Sequence, residues 1–388
     1  MYRIQTLNKI SPTGLALLDK SRYTIGNDLE NPDGILVRST DMQNYTFLPS
    51  LRAIARAGVG VNNIPIDRCS ESGIVVFNTP GANANAVKEL AVCALLLASR
   101  DILGGAEWVH QQAREGADVV TAVEKGKSAF VGPEISGKTL GVLGLGAVGV
   151  QVANIATKLG MTVYGYDPFL SVDSALRLSR SVHRAMDLNT IFKNCDYITL
   201  HMPLTPETNG MVNAESIQMM KSHVRILNLA RSELVVDDDI IAALEEGKVA
   251  SYITDFPNNK IVAAKNVVAI PHLGASSPES EENCAVMAVE QLKDYLENGN
   301  IRNSVNLPNV SMDRSGMIRM GIIHRNVPNM LASIMSVLSK EDINVENLMN
   351  HSKRNYAYTL VDLNSRVHDR VVDEVRAIGG VLRVRVIR

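Results

Sequence analysis

The chain has 388 residues, of which 46% are hydrophobic and 21% are charged, and its formal net charge is −2 at pH 7. This length predicts two or three domains, and the composition is that of an ordinary soluble globular protein. The near-neutral charge gives no electrostatic reason to expect binding to nucleic acid or to a membrane surface.

The cysteines and the apolar runs narrow the class of protein further. Four cysteines lie far apart without the spacing of a metal site, which predicts reduced thiols and no metal centre. The longest apolar run, residues 91–98, is too short to span a bilayer. The first ten residues lack the pattern of a secretory signal, so we expect a cytoplasmic protein.

The N-terminal part of the chain alternates short strand-like runs with helical pieces, which predicts a small parallel α/β sheet. The predicted strands are residues 3–7, 23–25, 34–39, 52–57 and 74–78. Arg38 closes one apolar run, and Arg56 is followed by a glycine turn, Gly58-Val59-Gly60, whose backbone N–H groups can hold a carboxylate or a phosphate. A solvated or structural ion pair explains each arginine equally well.

The stretch from residue 139 to Asp167 has the pattern of a dinucleotide-binding unit. A short apolar run leads into a G-x-G-x-x-G loop, a helical pattern follows, and a second apolar run ends in Asp167, about 20 residues further on. The residues expected to cradle a pyrophosphate are Gly144, Gly146, Ala147, Val148 and Gly149. Asp167 can accept hydrogen bonds from ribose hydroxyls and would repel a 2′-phosphate, which favours NAD over NADP. A glycine-rich turn without a ligand is the alternative.

From residue 139 onward, strands and helical patterns alternate six times, which predicts a doubly wound six-stranded sheet. The predicted strands are residues 140–143, 162–166, 197–200, 224–229, 250–254 and 267–270. Ligands bind at the carboxyl ends of the strands in such sheets. The residues at those ends are Gly144, Asp167, His201, Pro203, Ala230, Arg231, Asp255 and His272, and we expect them to form an active-site edge.

Hydride transfer between an alcohol carbon and nicotinamide needs a base for the hydroxyl proton and a cation for the substrate carboxylate. His272 is the best base, because it follows a strand end and precedes a glycine turn. Arg231 is the best cation, because its guanidinium grips a carboxylate as a fork. We expect His201 to line the cofactor pocket. The alternative for each residue is a structural side chain.

Residues 317–388 predict a separate small domain with the order strand, helix, strand, strand, helix, strand, which is ferredoxin-like. So short a segment buries a small core, and we therefore expect it to pair with a copy of itself in a homodimer or homotetramer.

These motifs resemble the D-isomer-specific 2-hydroxyacid dehydrogenase family with a C-terminal ACT domain, over nearly the whole chain. The motifs that carry the resemblance are the glycine loop with Asp167, His201-Met202-Pro203-Leu204-Thr205, Asn228-Leu229-Ala230-Arg231, Asp255-Phe256-Pro257 and Pro271-His272-Leu273-Gly274-Ala275-Ser276. The resemblance implies two doubly wound Rossmann-like domains followed by the ACT domain. The implied domains are a discontinuous substrate-binding domain (residues 1–92 and 273–303), an NAD-binding domain (93–272) and an ACT domain (317–388).

The resemblance also implies roles for these residues. His272 is the acid/base, Arg231 binds the oxoacid, and Asp255 contacts the nicotinamide amide. The Gly58–Gly60 turn receives the substrate carboxylate, and Arg38 and Arg56 are candidates for binding a phosphate-bearing substrate. Further cofactor contacts are implied at His201, Pro203, Ala230 and Gly274. In serine-inhibited relatives, positions matching His324, Asn326 and Asn344 bind L-serine between two ACT domains; a ligand-free dimerisation module is the alternative.

One departure from the family pattern leaves the function open. The family places a Glu a few residues after the Asp-x-Phe motif, paired with the catalytic histidine, but residues 256–260 contain no carboxylate. We hypothesise that His272 works without that partner or borrows another acid. The ACT domain favours oxidation of a phosphorylated 2-hydroxy acid at the entry to serine synthesis. The alternatives are another dehydrogenase of this class, such as a glyoxylate or hydroxypyruvate reductase, and an NAD-sensing regulatory protein that has lost catalysis.

Overall fold

The computed structural model describes residues 1–387 and divides the chain into two compact units. One unit comprises Met1–Ala82 together with the chain from Pro278 onward, and the other comprises Asn83–Ser277. Among the described residues, no helix is both long and apolar enough to cross a bilayer. Nor do residues 1–387 contain a group of three or more His, Cys, Asp or Glu side chains that could hold a metal ion.

The first unit begins with a parallel sheet of five strands. Its strands are Tyr2–Thr6 (β1), Tyr23–Gly26 (β2), Gly34–Val37 (β3), Ala53–Arg56 (β4) and Val75–Phe77 (β5), and its helices are Pro12–Leu15 (α1) and Ile66–Glu71 (α2). The strand order is β2-β1-β3-β4-β5, with parallel pairing throughout. The central strands are apolar runs in which Ile35, Leu36 and Ile54 are fully buried, as expected for a parallel sheet covered on both faces.

The second unit contains a parallel sheet of seven strands. Its strands are Thr139–Leu143 (β6), Thr162–Tyr166 (β7), Val182–Arg184 (β8), Tyr197–Leu200 (β9), Val224–Asn228 (β10), Val249–Thr254 (β11) and Val267–Ala269 (β12). Its helices are Ala84–Ser99 (α3), Ile102–Arg114 (α4), Val119–Gly126 (α5), Ala147–Lys158 (α6), Val172–Arg177 (α7), Leu188–Asn194 (α8), Ala214–Met219 (α9), Asp237–Glu245 (α10) and Asn259–Ala263 (α11), with 3₁₀ turns at Lys127–Phe130 and Ser232–Leu234. The strand order is β12-β11-β10-β9-β6-β7-β8.

Six of these seven strands are predicted by the sequence, and β8 is not. It has only three residues, lies at the edge of the sheet, and leaves His183 and Arg184 exposed. A short edge strand with exposed polar side chains has no apolar periodicity by which to recognise it.

The chain returns to the first unit through α12 (Pro278–Asn298), whose Ala285, Ala288 and Leu292 pack in the core beside the five-stranded sheet. It then forms Ile318–Arg325 (β13), Met330–Lys340 (α13), Val345–Lys353 (β14), Tyr356–Leu363 (β15), Asp369–Arg376 (α14) and Val381–Ile387 (β16). The order β14-β15-β13-β16, antiparallel throughout, is ferredoxin-like. The predicted fold class, two parallel α/β sheets followed by a ferredoxin-like domain, is therefore confirmed.

The C-terminal sheet is covered on both faces. On one face Met320 and Ile322 pack with residues of α13 and α14. On the other face Ile323, Tyr358 and Leu360 belong to the same core as the five-stranded sheet and α12. Within the first unit, the C-terminal domain thus shares a hydrophobic core with the N-terminal sheet.

Candidate active site

The glycine loop between β6 and α6 has the geometry that a pyrophosphate requires. Gly144 has a φ of 92°, in the left-handed region that favours glycine. A side chain at Gly149 would collide with the carbonyl oxygen of Gly144. Gly146 is the N-cap of α6, so the amides of Ala147 and Val148 belong to the first turn of the helix, where backbone N–H groups lack intrahelical acceptors. The loop therefore presents a helix N-terminus to an anion.

Asp167 follows β7 and is fixed against this loop. One carboxylate oxygen accepts the backbone N–H of Leu145 at 2.8 Å, and the other accepts that of Phe169, also at 2.8 Å. The next basic residue in the sequence is Arg177. An oriented carboxylate without a neighbouring basic residue in the sequence fits the ribose of NAD rather than the phosphorylated ribose of NADP.

His201 follows β9 on the same edge. Its backbone N–H donates to the carbonyl of Leu143 at 2.7 Å, and its ring Nε2 lies 2.9 Å from the hydroxyl of Thr199. Burial lowers the pKa of His201 to about 4, so the ring is neutral at physiological pH. Pro203 is exposed two residues further on. Both residues occupy the predicted edge, and their contact with a cofactor stays a prediction.

Arg231 is presented by a turn that a buried asparagine holds. The side-chain oxygen of Asn228, at the end of β10, accepts the N–H groups of Ala230 at 3.2 Å and Arg231 at 3.3 Å, and its amide donates to the carbonyl of Arg231 at 2.8 Å. Asn228 is fully buried. The sequence analysis assigned no role to Asn228, although a polar residue at the end of an apolar strand is a signal by which it could have been found.

The edge of the sheet brings Arg231, Asp255 and His272 together. Asp255 follows β11 with only 1% of its surface exposed, and one of its oxygens accepts the N–H of Gly274 at 3.3 Å. Burial raises the pKa of the Asp255 carboxyl, and the charges of His272 and Arg231 oppose that rise. The side chains of Arg231 and His272 therefore lie within electrostatic range of the carboxylate.

His272 itself is exposed, and its imidazole lies against the ring of Phe256 with the centroids 4.7 Å apart. Asn259, within the segment 256–260 that lacks a carboxylate, is an exposed residue that begins α11. The short segment that follows Phe256 therefore supplies no carboxylate in place of the Glu of the family pattern.

The predicted anion-binding residues of the first unit lie at the carboxyl ends of β3 and β4. Arg38 forms an ion pair of 2.7 Å with Glu281 of α12, and the Arg56 Nε donates to the carbonyl of Arg38 at 3.1 Å. The Asn8 side-chain oxygen accepts three successive backbone N–H groups, those of residues 38–40. Asn8 therefore shapes the turn that carries Arg38, a role that the sequence analysis missed.

The turn after β4 leaves two backbone donors without acceptors. Gly58 has a φ of 150°, and the Asn78 amide donates to the carbonyl of Val59 at 2.7 Å. Within residues 1–387, the N–H groups of Val59 and Gly60 have no hydrogen-bond acceptor. Two adjacent unpaired amides are a suitable receptor for a carboxylate.

His324 is less available to an effector than the sequence suggests. Only 2% of its surface is exposed. Its Nδ1 lies 2.8 Å from the carbonyl oxygen of Arg325, and its Nε2 lies 2.9 Å from the hydroxyl of Thr359. Burial lowers the pKa of His324, and both of its ring nitrogens are already engaged within the domain.

The three predicted effector residues do not meet within one chain. Asn326 is exposed and close in sequence to His324, which pairs with Ala357 at one end of β15. Asn344 is also exposed. It precedes Val345, which pairs with Leu363 at the other end of β15. Six residues of strand separate the two ends by about 20 Å. A site that used all three residues would therefore require a second copy of the domain.

Comparison with known proteins places these features in a family. Residues 92–274 match the family model described as D-isomer specific 2-hydroxyacid dehydrogenase, NAD binding domain. A D-3-phosphoglycerate dehydrogenase of Methanocaldococcus jannaschii is 33% identical over 303 residues, which cover 75% of this chain and 55% of the relative. That of Bacillus subtilis is 31% identical over 361 residues, which cover 88% of this chain and 66% of the relative. The chain thus spans less than two thirds of the length of either relative.

A solved structure supports the same assignment. The NAD⁺-bound 3-phosphoglycerate dehydrogenase of Entamoeba histolytica is 26% identical, with a TM-score of 0.60, over 79% of this chain and 98% of that chain. A glyoxylate/hydroxypyruvate reductase of Sinorhizobium meliloti, 22% identical with a TM-score of 0.64 over 79% of this chain and 98% of that chain, shares the fold. The prediction that NAD is the cofactor is confirmed by the family match and by the NAD⁺-bound structure.

Proposed function

Because the chain belongs to the D-isomer-specific 2-hydroxyacid dehydrogenase family, we propose that it oxidises 3-phospho-D-glycerate to 3-phosphooxypyruvate with NAD, the first step of L-serine biosynthesis. The observation that carries the proposal is the grouping of Arg231, Asp255 and His272 on the sheet edge that also bears the glycine loop. A cation, a carboxylate and an imidazole on a nucleotide-binding edge are the groups that alcohol oxidation needs.

The residues present fit a dinucleotide. The buried Oδ1 of Asp255 has no hydrogen-bond partner within residues 1–387, so it is available to the amide N–H of a nicotinamide. Bound NAD supplies the hydride acceptor. His272 takes the proton of the substrate C2 hydroxyl on a ring nitrogen. Arg231 pairs with the substrate carboxylate and stabilises the charge that develops on the carbonyl oxygen.

The residues of the first unit suit a phosphorylated hydroxy acid. The free amides of Val59 and Gly60 are proposed to receive a carboxylate, as the family resemblance implies. The Arg38 guanidinium is proposed to bind the phosphate of the substrate, with Arg56 beside it. Glu281 forms an ion pair of 2.7 Å with Arg38, so an arriving phosphate would compete with this carboxylate.

A steady-state assay of NADH formation tests the proposed function. We expect 3-phospho-D-glycerate to be oxidised with a kcat/KM at least about tenfold above those of D-glycerate and D-lactate, since these two acids lack the phosphate that Arg38 is proposed to bind. Preferred reduction of glyoxylate or hydroxypyruvate would assign the chain to the reductases. Calorimetric binding of NAD without turnover of any hydroxy acid would instead indicate a regulatory cofactor sensor.

The ion pair at Arg38 gives a more specific prediction. Replacing Glu281 by Gln removes the competing carboxylate and should lower the KM for 3-phosphoglycerate about two- to fivefold, the scale of an exposed ion pair, with little change in kcat. Arg38→Gln should raise the same KM. Glu282→Gln is the matched control, since Glu282 is an exposed acid next along the same helix. An unchanged KM in Glu281→Gln and Arg38→Gln would remove Arg38 from the phosphate site.

We also propose that L-serine is an effector, bound between the ACT domains of two copies of the chain in a homodimer or homotetramer. His324 and Asn326 of one copy would meet Asn344 of the other, which is compatible with their separation within one chain. Calorimetry with L-serine tests this: heat and inhibition in the wild type, lost in Asn344→Ala, support the site. Absence of both in the wild type indicates a dimerisation module without a ligand.

A further inference from the structure

The turn after β4 is anchored by the two residues that follow β5. The backbone N–H of Thr79 donates to the carbonyl of Gly58 at 3.1 Å. The side-chain amide of Asn78 donates to the carbonyl of Val59 at 2.7 Å. Because β5 pairs with β4 in the same sheet, the segment after β5 lies beside the turn. Both peptide groups that link residues 58–60 are therefore held by their carbonyl oxygens.

The geometry of the peptide bond turns this anchoring into a defined direction for the N–H groups. Residues 1–387 contain no cis peptide bond, and in a trans peptide the carbonyl oxygen and the following N–H point in opposite directions. The carbonyls of Gly58 and Val59 point toward the segment after β5, so the N–H groups of Val59 and Gly60 point away from it. Neither N–H has an acceptor in the part of the chain that the structure describes, and both are thus available to one anion.

Asn78 is itself fixed by helix α12. The Gln291 side-chain amide donates to the backbone carbonyl of Asn78 at 3.0 Å and to that of Met287, one turn earlier in the helix, at 3.1 Å. Gln291 is 8% exposed and Thr79 is fully buried, whereas Asn78 is half-buried. The support of the turn thus leads from a buried side chain of α12 to a half-buried asparagine, and it uses neutral hydrogen bonds alone.

We propose that Asn78 is a positioning residue for the substrate carboxylate, acting through the Val59 carbonyl, and that Gln291 in turn positions Asn78. The inference rests on the proposed function, in which the amides of Val59 and Gly60 receive that carboxylate. Two N–H groups with a common direction match one carboxylate, and a turn that is fixed before binding needs less ordering when the ligand arrives. An asparagine suits this position because its amide donates to a carbonyl, whereas an ionised aspartate only accepts.

The first test compares Asn78→Asp with the wild type in steady-state kinetics. The new carboxylate would repel the Val59 carbonyl and release the peptide group that carries the Gly60 N–H. We expect the KM for 3-phosphoglycerate to rise at least about tenfold, with kcat within about twofold and the KM for NAD unchanged, because the carboxylate is bound alike in the ground state and in the transition state. Asn355→Asp, which adds the same charge at an exposed position of the first unit, should keep the wild-type KM. A folded Asn78→Asp protein with the wild-type KM, or with a loss of kcat alone, would overturn the role of Asn78.

The phosphate of the substrate provides an internal comparison. D-glycerate has the same carboxylate and lacks the phosphate, so Asn78→Asp should raise its KM by the same factor as that of 3-phosphoglycerate. Arg38→Gln should raise the KM of the phosphorylated acid alone. An effect of Asn78→Asp that is confined to the phosphorylated acid would contradict the proposal, because Asn78 would then act on the phosphate and not on the carboxylate.

Two milder variants test the inference even if Asn78→Asp does not fold. Asn78→Ala removes the donor without adding a charge and should raise the KM about three- to tenfold. Gln291→Met removes the donor to the Asn78 carbonyl with a side chain of similar size and should raise the KM by a smaller factor, about two- to threefold. Thermal melts of both variants are measured in parallel. A lower Tm with an unchanged KM in both would show that these residues only close the end of β5, and the proposal would be wrong.

Calorimetry with oxamate, at saturating NADH, gives a readout without turnover. Oxamate has the carboxylate and the adjacent carbonyl of a 2-oxo acid and carries no phosphate. Its affinity should fall at least about tenfold in Asn78→Asp and stay at the wild-type value in Asn355→Asp. Equal affinity in Asn78→Asp and the wild type, or no binding to the wild type, would refute the positioning role. Wild-type protein that binds oxamate in this Asn78-dependent way but oxidises no phosphorylated hydroxy acid would refute the proposed function and support the positioning role.

Discussion

Replacing Arg319 by Lys is expected to lower the free energy of unfolding of the first unit by about 3–5 kcal/mol, the scale of breaking a buried ion pair. Arg319 and Asp362 are both completely buried, and the guanidinium donates to the two carboxylate oxygens at 2.6 and 2.8 Å. Its remaining N–H groups donate to the carbonyls of Asn298, Met312 and Asp313. A lysine ammonium has three donors in a different geometry and would leave several of these acceptors unpaired.

The pH dependence of this pair has a definite sign. Burial alone would raise the pKa of Asp362, but its hydrogen bonds from Arg319 and Ser315 outweigh that effect and lower the pKa below the ordinary value of 3.8. The unfolded chain therefore binds a proton more readily, so the stability from this group is present above about pH 4 and is lost as the pH falls through the folded pKa.

Chemical denaturation followed by circular dichroism measures the effect. Arg376→Lys is the matched control, because its ion pair with Asp373 is exposed on both sides, and its loss should change the stability by less than about 1 kcal/mol. The double variant Arg319→Met, Asp362→Leu should recover part of the stability lost in Arg319→Lys, since no charge is left buried even though the three carbonyls lose their donor. An Arg319→Lys loss as small as that of the control would contradict the structural role of this pair.

The strands and the two sheets could be predicted because their signals are local. Apolar runs bounded by glycine or polar residues mark β3, β4 and β6, and the alternation of strands with helices indicates parallel sheets. The polar residues at the ends of those strands then meet on one edge as a consequence of the topology. This is why Arg231, Asp255 and His272 could be grouped before their positions were known.

Other features depend on contacts that the sequence pattern does not encode. The pairing of Arg319 with Asp362 joins residues 43 positions apart. β13 is buried on both faces although its sequence contains Arg319 and His324, and no local pattern identifies what covers it. Asn8 and Asn228 act through hydrogen bonds to turns, and an isolated asparagine gives no periodic signal. Tertiary hydrogen bonding, rather than apolar periodicity, is what the sequence analysis could not supply.

The glycine loop offers a pair of substitutions that separate folding from cofactor binding. A Cβ at Gly149 would collide with the carbonyl oxygen of Gly144, whereas a Cβ at Gly146 would meet no atom within 4 Å. Gly149→Ala should therefore lower both the thermal stability of the second unit and its affinity for NAD. Gly146→Ala should leave stability within about 0.5 kcal/mol of the wild type, yet weaken NAD about 100-fold, because the backbone must approach the pyrophosphate closely at this position.

Calorimetric titration with NAD and a thermal melt of each variant decide between these expectations. Gly379→Ala is the control, since a Cβ there also meets nothing within 4 Å and lies far along the chain from the loop; both measurements should stay at wild-type values. Equal NAD affinity in Gly146→Ala and the wild type would show that the dinucleotide does not lie over this glycine. In that case cofactor binding would not explain the steric contrast between Gly146 and Gly149, and the loop would be a structural turn without a bound dinucleotide.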